Sequence, residues 1–314
     1  MAVLCCAMPR IGFLGPLGTF TEQALLSQSD LAAMDLVPIT PILDVLAATE
    51  SGDVDLGFVP IENAIEGTVN ETIDSLAFEH DLLIQREVVL GIHLNLLAPE
   101  GTRLEDVKEV VSIPVALAQV RGWLSKHLPG VTLTASNSTA EAAALVGRDR
   151  TPGVGAVAPA VAAELYGLEI IATEIEDHPE NKTRFVVVTP DGVPAPTGHD
   201  KTSIVCFQSA DRPGSLLGIL QEFAARAINL TKLESRPTKQ SLGDYCFIID
   251  FEGHVADDVV ADCLRELKAK NADVKFLGSY PAAGEHGEAV RREAEASWRS
   301  ADEWIQGVRA NIQR

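Results

Sequence analysis

Positive charge is scarce in this chain: 25 Lys and Arg stand against 45 Asp and Glu, for a formal net charge of −20 over 314 residues. Binding to nucleic acid or to an anionic membrane needs a basic patch or stripe, and no stretch of the sequence supplies one. Apolar runs are also short, well below the ~18 residues of a membrane-spanning helix. We therefore expect no nucleic acid and no membrane among the partners. An anionic ligand would have to be held by local Arg, Lys or helix N-termini.

Metal-binding and disulfide patterns are missing as well. The seven histidines show no His-Glu-x-x-His spacing, which argues against a metal site of that type. The apolar opening from Met1 to Met8 lacks a basic segment, so we expect no signal peptide and a cytoplasmic location. The cysteines form an odd, scattered set without a Cys-x-x-Cys pair, which is typical of a reduced cytosol. They are Cys5, Cys6, Cys206, Cys246 and Cys263.

The chain is long enough for two domains, and its 46% hydrophobic residues can form a sizeable core. Residues 10–190 alternate predicted strands and helices, which indicates α/β layers with mostly parallel pairing. Residues 191–200 have the proline- and glycine-rich composition of a linker. Residues 201–282 follow a βαββαβ order, the ferredoxin-like unit. Residues 283–314 predict an amphipathic helical tail from apolar residues at helical spacing: Trp298, Ala301, Ile305, Val308 and Ile312.

A glycine turn, Gly15-Pro16-Leu17-Gly18, follows the strand predicted for Ile11–Leu14. Thr19 and Glu22 fit a capping box, so the spacing predicts a helix that begins there. A helix N-terminus behind such a turn directs unsatisfied N–H groups outward and suits an anion. Ordinary turn chemistry between a strand and a helix explains the same residues without a ligand.

Two further groups of polar residues follow predicted strands. Glu62 and Asn63 come after the strand Val54–Val59, where open α/β sheets place ligand contacts, although Asn63 would equally shape a turn. Ser112 lies in a later strand and Gln119 on the helix after it, so both could face a cleft.

The stretch Asn181-Lys182-Thr183-Arg184-Phe185 leads into the apolar strand Val186–Val188. A hydroxyl, a guanidinium and an aromatic ring at the mouth of a buried strand form a compact polar cluster on rigid backbone. Taken alone, the stretch is also described by a strand with an ordinary polar start. The other motifs in the chain favour a functional interpretation.

Together these motifs resemble the prephenate dehydratase family in their order and rough spacing. They are Gly15-Pro16-Leu17-Gly18-Thr19-Phe20-Thr21, Pro60-Ile61-Glu62-Asn63 with Gly67, and Asn181-Lys182-Thr183-Arg184-Phe185. The second domain resembles an ACT domain in Pro213-Gly214-Ser215-Leu216 and Glu234-Ser235-Arg236-Pro237. The resemblance covers roughly residues 11–282. It implies a catalytic domain of two α/β lobes, like a type 2 periplasmic binding protein, with the active site between the lobes.

The implied reaction converts prephenate to phenylpyruvate with release of water and carbon dioxide, without a metal or an organic cofactor. Thr183 would donate a hydrogen bond or a proton to the departing hydroxyl group, and positioning would matter more than acidity. Arg184 would hold a substrate carboxylate or serve the structure. Glu62 and Asn63 would complete the catalytic set. The substrate contacts implied by the resemblance are Thr19, Thr21, Ser112, Gln119 and Phe185.

The ACT resemblance implies feedback control by phenylalanine, bound between ACT domains of a homo-oligomer, either a dimer or a tetramer. The residues implied for that allosteric site are Pro213, Gly214, Ser215, Leu216, Glu234, Ser235 and Arg236. Two departures from the family stand out. Ile113 occupies a position where histidine is common, so an imidazole there cannot be an essential acid in this chain. Ser215 replaces a common alanine, a mild change.

Three alternatives remain open on sequence alone. An arogenate dehydratase performs the same chemistry on the aminated substrate. A non-catalytic phenylalanine sensor would keep both folds, although the presence of Thr183 and Asn63 argues against it. A secreted amino-acid-binding protein would need the signal peptide that the sequence does not predict.

Overall fold

The computed structural model describes residues 8–207, 213–239, 244–270 and 273–283, together with 301, 303–307 and 309–310. The chain divides into two compact units by its internal contacts. The first holds residues up to 75 and 88–188, and the second holds 76–87 and everything from 189 onward. The second unit therefore takes in a short stretch of chain that precedes most of the first unit's residues.

Strands and helices alternate up to residue 189. The strands are β1 (Arg10–Leu14), β2 (Asp35–Ile39), β3 (Leu56–Asn63), β4 (Gly67–Thr68), β5 (Leu83–Gly91), β6 (Asn95–Ala98), β7 (Glu109–Ser112), β8 (Thr132–Ala135), β9 (Val154–Ala158), β10 (Glu169–Ala172) and β11 (Lys182–Thr189). The helices are α1 (Phe20–Leu26), α2 (Ser29–Ala32), α3 (Ile42–Ser51), α4 (Asn70–Phe78), α5 (Pro114–Gln119), α6 (Arg121–His127), α7 (Thr139–Asp149) and α8 (Ala160–Tyr166).

These strands form two sheets, each the centre of one lobe. The first has the order β2-β1-β3-β11-β5, with β4 paired to β3, and the second has the order β10-β6-β9-β7-β8. The expectation of mostly parallel pairing needs correction, because β11 runs antiparallel to β3 and β6 antiparallel to β9. After the second lobe the chain returns to the first, where β11 inserts between β3 and β5 and runs antiparallel to β3. The two-lobed architecture itself is confirmed.

Local sequence signals predicted the helices and strands more accurately than the residues at which they end. Thr19 and Ser138 cap α1 and α7 as their spacing predicts, each accepting a hydrogen bond from a backbone N–H three residues later. β3 continues through Asn63 where a strand end at Val59 was expected, because β4 and β11 extend its pairing. The helix predicted after the strand of Ser112 is interrupted at Val120, whose φ of −115° and ψ of 8° separate α5 from α6.

The second unit contains the predicted βαββαβ order. Its elements are β12 (Asp200–Phe207), α9 (Ser215–Ala224), β13 (Leu230–Pro237), β14 (Tyr245–Glu252), α10 (Asp258–Lys270) and β15 (Val274–Pro281). The sheet has the order β13-β14-β12-β15, so β13 and β15 are its edges. The apolar sides of both helices pack on one face of this sheet around Phe223, Phe251 and Leu267. The ferredoxin-like prediction is confirmed.

Two buried cysteine thiols, Cys206 on β12 and Cys263 on α10, lie in this core. Cys206, Cys246 and Cys263 are all buried and are not joined to one another by disulfides. Burial raises the pKa of Cys206 and of Cys263 to about 12, so both thiols stay protonated and unreactive at neutral pH. Cys5 and Cys6 lie outside the described residues.

Gly278 in β15 is a position where only glycine fits. Its φ is +141°, and an added Cβ would lie 2.5 Å from the carbonyl oxygen of Ile84. We expect Gly278→Ala to lower the free energy of unfolding by about 2–4 kcal/mol, because strained backbone and overpacking add together. Gly192→Ala is the matched control: φ is +90°, but nothing lies within 4 Å of the added atom. Urea denaturation of both variants measures the difference, and equal losses would contradict the steric argument.

Part of the predicted tail is helical: residues 301, 303–307 and 309–310 have helical backbone, and Trp304 is exposed. Trp298, Val308 and Ile312, which carried much of the amphipathic pattern, lie outside the described residues. Within the described part of the chain, no helix has both the length and the hydrophobicity needed to cross a membrane.

Candidate active site

The polar motifs of β3 and β11 face each other across an antiparallel ladder. Thr183 pairs with Asn63 and Arg184 with Glu62, after which the register shifts so that Phe185 pairs with Pro60. Pro60 has no N–H to donate, and a shift of register at such a position is the usual response of a sheet. The alignment places two motifs about 120 residues apart in sequence side by side.

Thr183 and Asn63 form the centre of this site. The Nδ2 atom of Asn63 donates to Thr183 Oγ1 at 2.9 Å. The orientation of the Asn63 amide is set by its oxygen, which accepts from the backbone N–H groups of Ile65 and Glu66, both at 2.9 Å. Because Asn63 is the donor, its bond to Thr183 leaves the hydroxyl hydrogen of Thr183 available for another acceptor. Thr183 is 9% exposed, so the hydroxyl is held in a mostly desolvated position.

Asn181 extends this hydrogen-bond network. Its Oδ1 accepts from Asn63 Nδ2 at 2.9 Å, and its Nδ2 donates to Gln119 Oε1 at 3.1 Å. Gln119 lies at the end of α5 in the second lobe, and its Nε2 reaches Glu66 Oε1 of the first lobe at 3.4 Å. Amide side chains thus connect both lobes of the first unit at the start of β11.

Arg184 and Glu62 form an ion pair beside this network, with 3.0 Å between Nη2 and a carboxylate oxygen. The guanidinium is mostly buried and Glu62 is half-exposed. A substrate carboxylate would have to compete with Glu62 for Arg184, or bind to the pair as a whole. The arrangement accommodates both roles that the sequence left open for Arg184.

The acidic turn before β11 is tied to the second lobe. The Asp177 carboxylate accepts from the N–H groups of Gly122 and Trp123 at 2.7 and 2.9 Å, at the beginning of α6. The Asp177 N–H in turn donates to the carbonyl oxygen of Gln119 at 2.7 Å. Glu176 accepts from the Leu94 N–H at 2.8 Å. These bonds fix where Gln119 and Asn181 meet.

The glycine turn of the first lobe contacts the second lobe. Tyr166 of α8 donates from its hydroxyl to the Leu17 carbonyl oxygen at 2.9 Å. Burial, and secondarily the Glu22 carboxylate, raise the pKa of Tyr166, so it remains a donor. The Glu22 carboxylate accepts from the Gly18 N–H, which places a negative charge where an anion site was expected. The Thr19 hydroxyl caps α1, and Thr21 is buried.

Besides Thr21, two predicted substrate contacts lie inside the protein. Ser112 is fully buried, and its hydroxyl donates to the Val157 carbonyl oxygen at 2.7 Å. Phe185 is buried in the core of the first sheet, its ring stacked on Phe58 with centroids 5.4 Å apart. Phe185 packs in the core of the first sheet, and the Ser112 hydroxyl is directed inward. Direct contact of either residue with the substrate stays a prediction.

The predicted phenylalanine-binding motifs lie at a helix start and a sheet edge of the second unit. Gly214 has a left-handed φ of 88° directly before α9, and nothing would lie within 4 Å of an added Cβ. Glu234 on the edge strand β13 is half-buried, 3.6 Å from both Lys232 and Arg236. The motif residues Pro213, Gly214 and Ser235 are exposed, whereas Ser215, Leu216, Glu234 and Arg236 are half-buried.

Sequence reasoning missed Asn181 and Glu66 as members of the site. Asn181 stands at the head of the stretch singled out above, but its burial, which marks it as more than a turn residue, is a tertiary property. Glu66 lies in an exposed turn and carries no sequence signal. Among the described residues no group of three or more His, Cys, Asp and Glu side chains could hold a metal ion. The arrangement offers a hydroxyl donor, amides and one ion pair.

Two family models match successive parts of the chain. A family model described as prephenate dehydratase matches residues 11–192, and one described as ACT domain matches residues 202–269. A curated relative from Mycolicibacterium vanbaalenii, named prephenate dehydratase, is 42% identical over 96% of this chain and 99% of its own length.

Two solved structures are similar over most of the chain. A prephenate dehydratase from Arthrobacter aurescens in complex with L-Phe has a TM-score of 0.85 and 38% identity, covering 96% of this chain and 100% of its own. A protein described as a novel type of quorum-quenching acylase has a TM-score of 0.77 and 30% identity, covering 87% of this chain and 98% of its own.

Proposed function

This chain belongs to the prephenate dehydratase family, and on that premise we propose that it converts prephenate to phenylpyruvate as a carbon–oxygen lyase. The substrate loses its ring hydroxyl group and its ring carboxylate together, and the product gains an aromatic ring. The driving force therefore lies in the substrate. The protein has to hold a dianion still and ease the departure of hydroxide, which takes positioning and a hydrogen-bond donor rather than a strong acid.

The observation that carries this proposal is the pairing of Thr183 with Asn63. A threonine hydroxyl whose oxygen accepts from an amide is oriented to donate its own hydrogen elsewhere. Accepting that bond also polarises the hydroxyl and makes it a better donor. At the departing oxygen of the substrate, such a donor stabilises the negative charge that builds up as the carbon–oxygen bond breaks. Arg184 is the proposed contact of a substrate carboxylate.

The similarity to a quorum-quenching acylase raises amide hydrolysis as a second activity to test. Such hydrolysis needs a nucleophile activated by an adjacent base. Thr183 accepts its hydrogen bond from an amide nitrogen, which cannot remove a proton, so the site favours a donor role for the hydroxyl. Hydrolysis of an N-acyl homoserine lactone is therefore expected to be absent or slow.

Phenylpyruvate formation from prephenate, measured with and without phenylalanine, tests the proposal. Arogenate and an N-acyl homoserine lactone serve as parallel substrates. Turnover of prephenate inhibited by phenylalanine is the expected result. Faster turnover of arogenate would reassign the substrate, and hydrolysis of the lactone alone would replace the reaction. No turnover with phenylalanine binding retained would leave a phenylalanine sensor.

We propose that phenylalanine binds at the ACT domain. The relative from Arthrobacter aurescens was solved with L-Phe, and the N-terminus of α9 offers backbone N–H groups that suit the ligand's carboxylate. Assembly into a homo-oligomer, either a dimer or a tetramer, would complete the binding site between chains. A cytoplasmic location also remains a proposal, supported by the scattered, unpaired cysteines.

Phenylalanine at 100 times its dissociation constant should stabilise the protein by about 2.7 kcal/mol, because it binds only the folded state. Gly214→Ala should weaken binding at least tenfold, since a side chain at φ 88° shifts the start of α9 by straining the backbone. Gly130→Ala, at φ 83° in an open turn of the second lobe, carries the same backbone strain and should bind normally. Calorimetric titration compares them; normal binding by Gly214→Ala would remove this turn from the allosteric site.

A further inference from the structure

Asn181 is a buried amide with both ends of its side chain engaged in the active-site network. It is 1% exposed, and it accepts from Asn63 while donating to Gln119. Such a residue could be a mere space-filling part of the core. Its partners argue otherwise, because one of them holds the Thr183 hydroxyl and the other belongs to the opposite lobe.

The direction of every hydrogen bond in this network is determined. Two backbone N–H groups donate to Asn63 Oδ1, so Asn63 must present its NH₂ group to the site. That group donates to Thr183 and to Asn181 at 2.9 Å each, with a longer contact of 3.3 Å to the Lys182 carbonyl oxygen. Asn181 therefore has to present its oxygen to Asn63 and its own NH₂ group to Gln119. An amide, or a protonated carboxyl group of the same shape, offers an acceptor and a donor on these two sides.

We propose that Asn181 is a positioning residue, which holds the Asn63 amide so that the Thr183 hydroxyl hydrogen remains available, and which links that geometry to Gln119 in the second lobe. The inference rests on the proposed dehydratase activity and deepens it. Asn181 acts through Asn63 and does not contact the Thr183 hydroxyl itself. Binding events that move Gln119 would then be transmitted to Thr183 through Asn181.

Asn181→Asp tests the required polarity. The ionised carboxylate accepts from Asn63 but meets the Gln119 oxygen with a second acceptor, and it draws both Asn63 hydrogens away from Thr183. When protonated, the carboxyl group donates to Gln119 and accepts from Asn63, which restores the native pattern. We expect kcat to fall about 100-fold at pH 8 relative to the parent protein. The kcat of Asn181→Asp relative to that of the parent protein should rise at least tenfold as the pH is lowered to 5.5.

Asn181→Ala is expected to lose a similar factor with no dependence on pH, because it cannot restore either bond. Gln28→Glu places the same amide-to-carboxylate change between α1 and α2, where the side chain contacts Ser27. Its kcat relative to the parent protein should stay near one at every pH. Circular dichroism and the thermal shift by phenylalanine verify folding. Should Asn181→Asp fail to fold, a double-mutant cycle of Asn181→Ala and Gln119→Ala replaces it, and strongly non-additive losses in kcat are expected.

Three outcomes separate the claims. A pH-dependent ratio for Asn181→Asp, or non-additive losses in the cycle, supports the positioning role. A ratio that is flat with pH, or losses that simply add, overturns it while prephenate turnover by the parent protein stands. A parent protein that does not convert prephenate overturns both the proposed function and this inference.

Discussion

Replacing Thr183 with valine is expected to reduce kcat for prephenate by about 10²–10⁴, equivalent to roughly 3–5 kcal/mol of transition-state stabilisation. Valine keeps the shape and the β-branch of threonine and removes only the hydroxyl. Asn63 loses one acceptor but retains its bond to Asn181, so the cost to folding should stay near 1–2 kcal/mol. KM should change little, because the lost hydrogen bond strengthens only as the hydroxide departs.

Two comparisons make the result specific to the hydroxyl group. Thr183→Ser retains it and should keep turnover within about tenfold of the parent, with the loss due to a less restrained side chain. Thr132→Val makes the same substitution on β8, where the threonine side chain is exposed, and should be neutral. Near-normal kcat in Thr183→Val, with folding intact, would remove Thr183 from the mechanism and with it the reason for assigning this site.

The second large effect concerns stability and the buried ion pair of the second unit. Lys201 Nζ contacts both oxygens of Glu87 at 2.9 and 2.8 Å, and the Ala283 N–H also donates to this carboxylate at 2.8 Å. The Glu87 side chain is 1% exposed and that of Lys201 is 15% exposed. Lys201→Met should cost about 3–5 kcal/mol, because it removes the cation that pairs with a buried carboxylate.

Hydrogen exchange at the amides of β12 and β14 measures this loss within the second unit, where a single global transition would not resolve it. Lys268→Met is the matched control. Lys268 pairs with Asp273 on the surface, with both side chains largely exposed, so its removal should change stability by less than about 1 kcal/mol. Removing both charges with Glu87→Leu and Lys201→Met should recover much of the lost stability. Equal effects of Lys201→Met and Lys268→Met would show that burial of the pair is energetically unimportant.

Local sequence patterns named several residues that the structure brings together. Thr183 and Asn63 were named from motifs and Gln119 from its place on a helix after a strand, and the structure brings all three into one hydrogen-bond network. Their grouping came from a family resemblance, since no spacing rule joins residues so far apart in sequence. The same resemblance assigned substrate contact to Ser112 and Phe185, whose side chains turn inward.

The sequence by itself determined the caps of α1 and α7, the βαββαβ order of the second unit and the residues of the catalytic motifs, because each depends on spacing within a few neighbours along the chain. Tertiary structure alone decided the antiparallel insertion of β11, the inward position of Phe185 and the hydrogen-bond partners of Asn181 and Glu87. Asn63 meets Asn181 across 118 positions and Glu87 meets Lys201 across 114. Contacts over such separations are selected by the free energy of the whole fold, in which sheet register and burial outweigh local preference.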